Sequence, residues 1–312
     1  MPLLQPHLTE HRIADVIAPS MAEAFKFAIQ NVKEQVSLKV LVDRMGVNSI
    51  QWRTMELLLF RAFREMFEET IQKAADAHIK FLPVKKAHIG LRFDLNNPRV
   101  FRWMQSHALE LVFGVTENSK EAIRDILRRS FEGQMTVRQQ AMFIRVLIGL
   151  DSRRAIALDN FRIQMIGEVP DAKAERLLVQ YKNRLIADRA TTIARTESIS
   201  VSAQGQLQLW LQAREQGFLN DDVRRRWAVT PDSRLCEICS PMPQNPRNTV
   251  TLDEPFETGD GRLVIAPPAH PQCRCAQVLV FPTNGVYPPL PKAVPAFAGN
   301  PGPPRRRRKP KI

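Results

Sequence analysis

Apolar residues recur at helical spacing over most of the first 218 positions. Between Trp52 and Ala75, the residues Met55, Leu59, Ala62, Phe63, Met66 and Phe67 form one wide stripe, the pattern of a helix that buries one face. Asn97-Pro98 marks another helix start, because proline at the first helical position lacks an amide hydrogen that would have no partner there. Thr136-Val-Arg-Gln139 has the form of a capping box ahead of the apolar run Ala141–Leu150. Asp151 and Asp171 stand where N-caps belong. From Asp171 the pattern runs on to about Arg214. Leu178, Tyr181 and Leu185 lie on one stripe, and Ile186, Ala190, Ile193 and Ala194 extend it round the helix. Gly217 is the expected stop. All these stripes are read as core.

The pattern changes after Gly217. Asn220 to Arg226 reads as a polar, charged crossing. From Trp227 to Phe281 short β-branched or apolar runs (Thr249–Leu252, Leu263–Ile265, Gln277–Phe281) alternate with the turn signals Asn245–Asn248 and Thr258–Gly261. Such a module is small for a free-standing core, so a metal or docking onto the helical part would help it. Pro282–Ile312 holds nine of the 23 prolines and ends in Arg305-Arg306-Arg307-Arg308-Lys309-Pro-Lys311. No core can form there, and an extended or disordered tail is expected. The expected fold is therefore mainly α over 1–218, including one long helix through Arg195-Thr196-Glu197. A small Cys-rich α+β or mostly β module follows over 219–281, then a disordered basic tail over 282–312.

Composition narrows the class. The 312 residues are 44% hydrophobic and 25% charged, a globular composition of about two domains. Lys plus Arg is 45 against 32 Asp plus Glu, a net charge of +13. A chain so basic is expected to meet a polyanion. No apolar run approaches the ~18–20 residues of a membrane helix, so no membrane partner is expected. Met1–Arg12 has no apolar signal region, which makes a cytoplasmic start the default.

Cysteine usage is sharper. All four cysteines lie between 236 and 275. Cys236-Glu-Ile-Cys239 can form a knuckle that turns two thiolates onto one ion. His270-Pro-Gln-Cys273-Arg-Cys275 begins 31 residues after Cys239. Zinc takes four such ligands, and five candidates are present. Cys236, Cys239 and Cys273 come first, and His270 and Cys275 compete for the fourth place. A strand would put Cys273 and Cys275 on the same side. With every place filled by protein, the zinc would be structural. Structural thiols or disulfides are the alternative, and a catalytic metal is a further one.

Other groups carry weaker signals. Arg195 and Glu197 are two apart and do not share a helix face, so by themselves they read as surface charges. Asp232 and Arg234 fit a turn residue and a local ion pair, and Trp227 fits core. If Arg305, Arg306, Arg307, Arg308, Lys309 and Lys311 all met duplex phosphates, log K would fall with log[salt] at a slope of about −5. A nuclear localisation signal and a solvated basic end are the other readings of this stretch. No recognition-helix motif points to sequence-specific reading. His7, His11, His78, His88 and His107 are scattered, and no phosphate-binding, zincin or nucleophile-elbow motif occurs.

Several of these pieces occur together in one order. Arg189-Ala190, Thr192-Ile-Ala-Arg195-Thr196-Glu197, Gly205, Trp227, Asp232-Ser-Arg234, Cys236-Glu-Ile-Cys239, Leu252-Asp253, Phe256 and Pro267–Cys275 resemble the phage minor head, or head morphogenesis, proteins of the phage Mu F type. Gly149–Asn160 is similar to the lead-in of those proteins, and the resemblance covers roughly residues 130–280. It implies a structural virion component in few copies at the portal and the capsid interior, acting in head assembly and in DNA packaging or delivery. The implied partners are the portal protein, a major capsid or scaffold protein, and double-stranded DNA bound without sequence preference. The implied location is the virion, with host cytoplasm during assembly. It implies no catalytic role for Arg195, Thr196, Glu197, Asp232, Arg234 and the Cys/His set, which are read as holding the module to the long helix. A metal-dependent nuclease using His270 with Asp253 or Asp232 is the competing reading.

Overall fold

The computed structural model describes residues 6–43, 47–82, 90–132 and 136–293. Seven helices are present among them: α1 (Pro6–Gln35), α2 (Leu38–Asp43), α3 (Trp52–Ile79), α4 (Pro98–Glu132), α5 (Val137–Leu147), α6 (Ser152–Met165) and α7 (Asp171–Glu215). Five short strands follow: β1 (Arg224–Ala228), β2 (Thr249–Val250), β3 (Phe256–Glu257), β4 (Leu263–Val264) and β5 (Ala276–Val280). The chain is mainly helical with a small cysteine-bearing sheet region, as the pattern predicts. The basic run Arg305–Lys311 lies outside the described residues.

Local signals account for several helix ends. Thr136 and Gln139 cap α5 reciprocally, which satisfies two amides that have no helical acceptor. Asp151 caps α6 by accepting from Arg154 N at 2.9 Å. Asn97 Oδ1 accepts from Arg99 N at 2.9 Å at the start of α4. Asp171 differs from the expected cap. It is the first helical residue of α7, where its charge favours the positive helix end.

Contacts divide the chain into two compact units, whose boundaries fall inside α1, α3 and α7 and between Leu95 and Asn96. One comprises Ile17–Glu68 and Asn96–Ala194. Its core holds Phe25, Ile29, Met55, Leu59, Phe63 and Phe67, all fully buried. Arg189 is buried there with its guanidinium on Gly149 O (2.8 Å), Ser119 Oγ (3.1 Å) and Val115 O (3.2 Å). Burial draws its pKa down to about 10, against the attraction of Asp151.

The other unit comprises Met1–Val16, Glu69–Leu95 and Arg195–Ile312. Here α7 is buried on every side from Val201 to Ala213. It packs so closely on α3 that a Cβ at Gly205 would stand 2.8 Å from Ile71 O. Strands β2-β1-β5 form an antiparallel sheet with β1 central, and β3 and β4 form a hairpin. Trp227, Leu235, Met242, Val250 and Phe256 make the small core beside Cys239, Cys273 and Cys275.

Two sequence expectations change. The supposed polar crossing up to Arg226 contains the start of β1, the central strand. Arg225 is fully buried, and its guanidinium reaches Thr251 O, Ile265 O, Gln277 Oε1 and Glu254 O at 2.6–3.2 Å. Four oxygens replace water around it, which lets a charged residue occupy a core position. The first part of the supposed loose tail is also fastened. Arg226 donates to Pro288 O (2.7 Å) and Pro289 O (3.0 Å), and Tyr287 Oη donates to Asp222 O at 2.5 Å.

Candidate metal centre

Four sulfurs and one imidazole meet beside the three-stranded sheet. The Cys236–Cys239 turn closes through Ser240 N on Cys236 O (3.0 Å) and Met242 N on Cys239 O (3.2 Å). Gly259 N, ahead of β4, donates to Ile238 O at 3.0 Å. The His270–Cys273 turn closes through Cys273 N on His270 O at 3.1 Å. Cys273 and Cys275 precede β5 and so do not share a strand face as expected. Their sulfurs still lie together with that of Cys239.

The donors form two overlapping groups. His270 Nε2 is 3.1 Å from Cys236 Sγ and 3.3 Å from Cys239 Sγ. Cys239 Sγ is 3.7 Å from Cys273 Sγ. Cys239 belongs both to the group with Cys236 and His270 and to the group with Cys273 and Cys275. All four cysteines are free thiols. Neither group contains a carboxylate among the described residues.

Hydrogen bonds from Cys239 and Cys275 hold the Cys273 thiol far below its usual range. The same bond, with burial, pushes Cys239 up. His270 is raised to about 9, first by its hydrogen bond to Cys273. For Cys275, the downward pull of Cys239 is outweighed by Cys273 and burial, so it moves up.

The donor set fits zinc. His270 Nδ1 lies 2.9 Å from Pro271 O. A proton donated from Nδ1 to that carbonyl leaves the Nε2 lone pair facing the sulfurs, the tautomer that a ligating imidazole carries. Zinc held about 2.3 Å from each sulfur sets neighbouring sulfurs ~3.8 Å apart, close to the observed Cys239–Cys273 spacing. Trp227 Nε1 is buried without a conventional acceptor and sits by Cys275, where it favours the thiolate.

A polar frame holds the ligand loops. Asp232 takes a two-pronged contact from Arg274, between the last two cysteines, and this pair holds its carboxyl well below the usual range. Asp232 also accepts from Arg234 N at 2.9 Å, with Arg234 Nη2 at 3.3 Å. Arg274 O accepts from Thr230 Oγ1 (2.8 Å) and contacts His11 Nε2 (3.2 Å). On α7, Thr196 Oγ1 accepts from Gln272 N at 3.0 Å, inside the His270–Cys273 loop. Gln277 joins β5 to α7 through Ala203 O at 2.7 Å.

Arg195 is exposed, and its contact is Asp15 at 4.0 Å. Glu197 is half-buried on α7. Asp253, a carboxylate of the nuclease reading, pairs with Arg214 at 2.6 Å. His78 is buried against Gln206, and His107 stacks on Trp103. His88 and Arg305–Lys311 lie outside the described residues.

Sequence reasoning missed Arg225, Arg226, Arg274 and Gln277. Arg274 had a signal, since it lies between two cysteines and a loop aspartate was available to it. The arginines of β1 gave none, because a charged run has the same composition as a solvated loop.

Residues 171–278 match the family model described as Phage Mu protein F like protein. The match begins at the first residue of α7 and takes in the whole Cys/His centre, so a long helix carrying a small cysteine-bearing sheet is the matched unit. It is narrower than the 130–280 span read from the motifs, and Gly149–Asn160 lies outside it. Over these residues the resemblance to the Mu F type is shown, and the class it points to is a phage head-related structural protein. No curated protein and no solved structure matches the chain. No helix among the described residues is long and apolar enough to cross a membrane.

Proposed function

We propose that this chain is a structural minor head component of a tailed phage, with a structural zinc ion cross-linking the two cysteine-bearing loops of its small sheet module. The observation that supports the proposal is the carboxylate-free set of Cys/His donors, in two groups that share Cys239, inside the family-matched segment. Cys236, Cys239, His270 and Cys273 supply the four places, and Cys275 stands next to them as a buried spare. Zinc in such a site cross-links two loops and supplies no open position for water. The frame of Thr196, Asp232 and Arg274 orients those loops and moves no proton. On this reading the protein is not an enzyme.

The portal, the capsid or scaffold and the packaged genome are the proposed partners. A net charge of +13 and the Arg305–Lys311 run suit sequence-blind contact with dense DNA. Quantitative mass spectrometry on gradient-purified particles tests the assignment. A few copies per particle, with peptides from both ends of the chain, are expected. Absence from mature and immature heads alike would overturn it.

A further inference from the structure

The buried guanidinium groups of this fold are met by oxygen. Arg189 has three acceptors and Arg225 has four. Lys182 is buried as deeply as Arg189, at 3% exposed, and lies on the buried stripe of α7 one turn before Ile186. Its surroundings differ. The Lys182 side chain meets that of Lys33, in the last turn of α1. Among the described residues, neither ammonium has a carboxylate or carbonyl oxygen within hydrogen-bonding reach.

An ammonium has three donors and no acceptor, so two of them side by side repel and leave donors unmet. Burial first, and Lys33 second, draw the Lys182 pKa down to about 7. About half of the molecules therefore carry this charge near pH 7. The packed elements supply no acid to offset it. Helix α5 holds Arg138 and Arg145 and neither Asp nor Glu. Arg145 Nε donates to Lys33 O at 3.3 Å, which ties α5 to the end of α1. Residues 176–187 of α7 hold Arg176, Lys182 and Arg184, again with no acid. Glu34, next to Lys33, is exposed and accepts from Gln30 at 2.6 Å. Lys33 itself is half-buried, so solvent reaches the pair there.

We propose that Lys33 and Lys182 hold an oxyanion of the phosphate class between them. Such an ion has enough oxygens to accept from both ammonium groups, and its charge offsets theirs. The source is free phosphate or a phosphodiester of a nucleic-acid backbone. The inference is independent of the zinc and phage-head readings. A neutral Lys182 accepting from Lys33 is the competing arrangement, and it gives no response to phosphate.

The test is thermal unfolding and calorimetric titration of the full chain with inorganic phosphate, against chloride at equal pH and ionic strength. Phosphate is expected to bind at one site and to raise Tm by a few degrees. Lys182→Met is expected to melt higher than wild type in chloride, because it removes an uncompensated buried charge, and to lose the response to phosphate. Lys33→Met, at the half-buried position, is expected to weaken phosphate binding at least about tenfold. Equal Tm in phosphate and chloride would overturn the proposal, and so would a phosphate response that survives both substitutions. Affinity for a short DNA duplex separates the two sources. It falls in Lys182→Met if a backbone phosphodiester fills the site, and is unchanged if the ligand is free phosphate.

Discussion

His78 shows what burial does to a single titratable group. Its Nδ1 is 3.1 Å from Gln206 Nε2, and burial, aided by Lys80, draws its pKa down to about 4. The unfolded chain takes up a proton near pH 6.5 that the folded chain refuses until about pH 4. Stability contributed by His78 is thus complete above 6.5 and lost as pH falls towards 4. Between pH 7 and 5 the expected loss is about 2 kcal/mol. Urea titrations of wild type and His78→Leu should differ in this slope, and parallel slopes would contradict the assignment. Arg225 is the second test at this scale. Lysine cannot fill four separated acceptors as a planar guanidinium does, so Arg225→Lys should cost roughly 3 kcal/mol, seen as a lower urea midpoint. Here sequence reading failed for a definite reason: whether Arg225 and Arg226 are solvated or buried depends on carbonyls 26–63 positions away in sequence.

At the scale of elements, the contact between α3 and α7 depends on Gly205. A Cβ there would meet Ile71 backbone, which cannot swing aside as a flexible side chain can. Gly205→Ala should therefore destabilise by about 1–3 kcal/mol, despite the better helix propensity of alanine. Thermal unfolding checks this, and a raised Tm would refute the close approach. The Asp232–Arg274 clamp belongs to the same scale. Removing it with Asp232→Asn should loosen the His270–Cys275 loop, read as faster amide exchange there with α7 unchanged. The helices themselves were largely legible, because caps such as Thr136 and stripes such as Met55–Phe67 act within a few residues of chain. The strands were legible only as short apolar runs. Their register, and the central place of β1, were not.

For the whole molecule, metal and charge give the decisive measurements. Purified protein should carry close to one equivalent of zinc by elemental analysis, and strong chelator should lower its Tm. Cys273→Ser should release the metal and destabilise residues 227–281, because thiolate is the ligand that zinc favours. Unchanged melting in chelator, with no metal bound, would contradict a structural ion. Deleting Pro301–Ile312 should weaken DNA binding at low salt and flatten its salt dependence while leaving folding intact. Equal affinity would remove this stretch from the DNA contact.

The sequence by itself determined the helices, the residue types of the candidate metal centre, the basic character and the Mu F-like order of motifs. Each of these is local or additive: caps and periodicity act over a turn or two, charge sums over the chain, and C-x2-C brings two sulfurs together within one turn. Tertiary structure alone decided that Cys239 stands between two donor groups and that Asp232 answers Arg274 rather than only Arg234. It alone decided that Thr196 of the long helix holds the His270–Cys273 loop. Those outcomes depend on which distant segments meet, and the energy of a buried guanidinium or thiolate is set by the groups that replace its water.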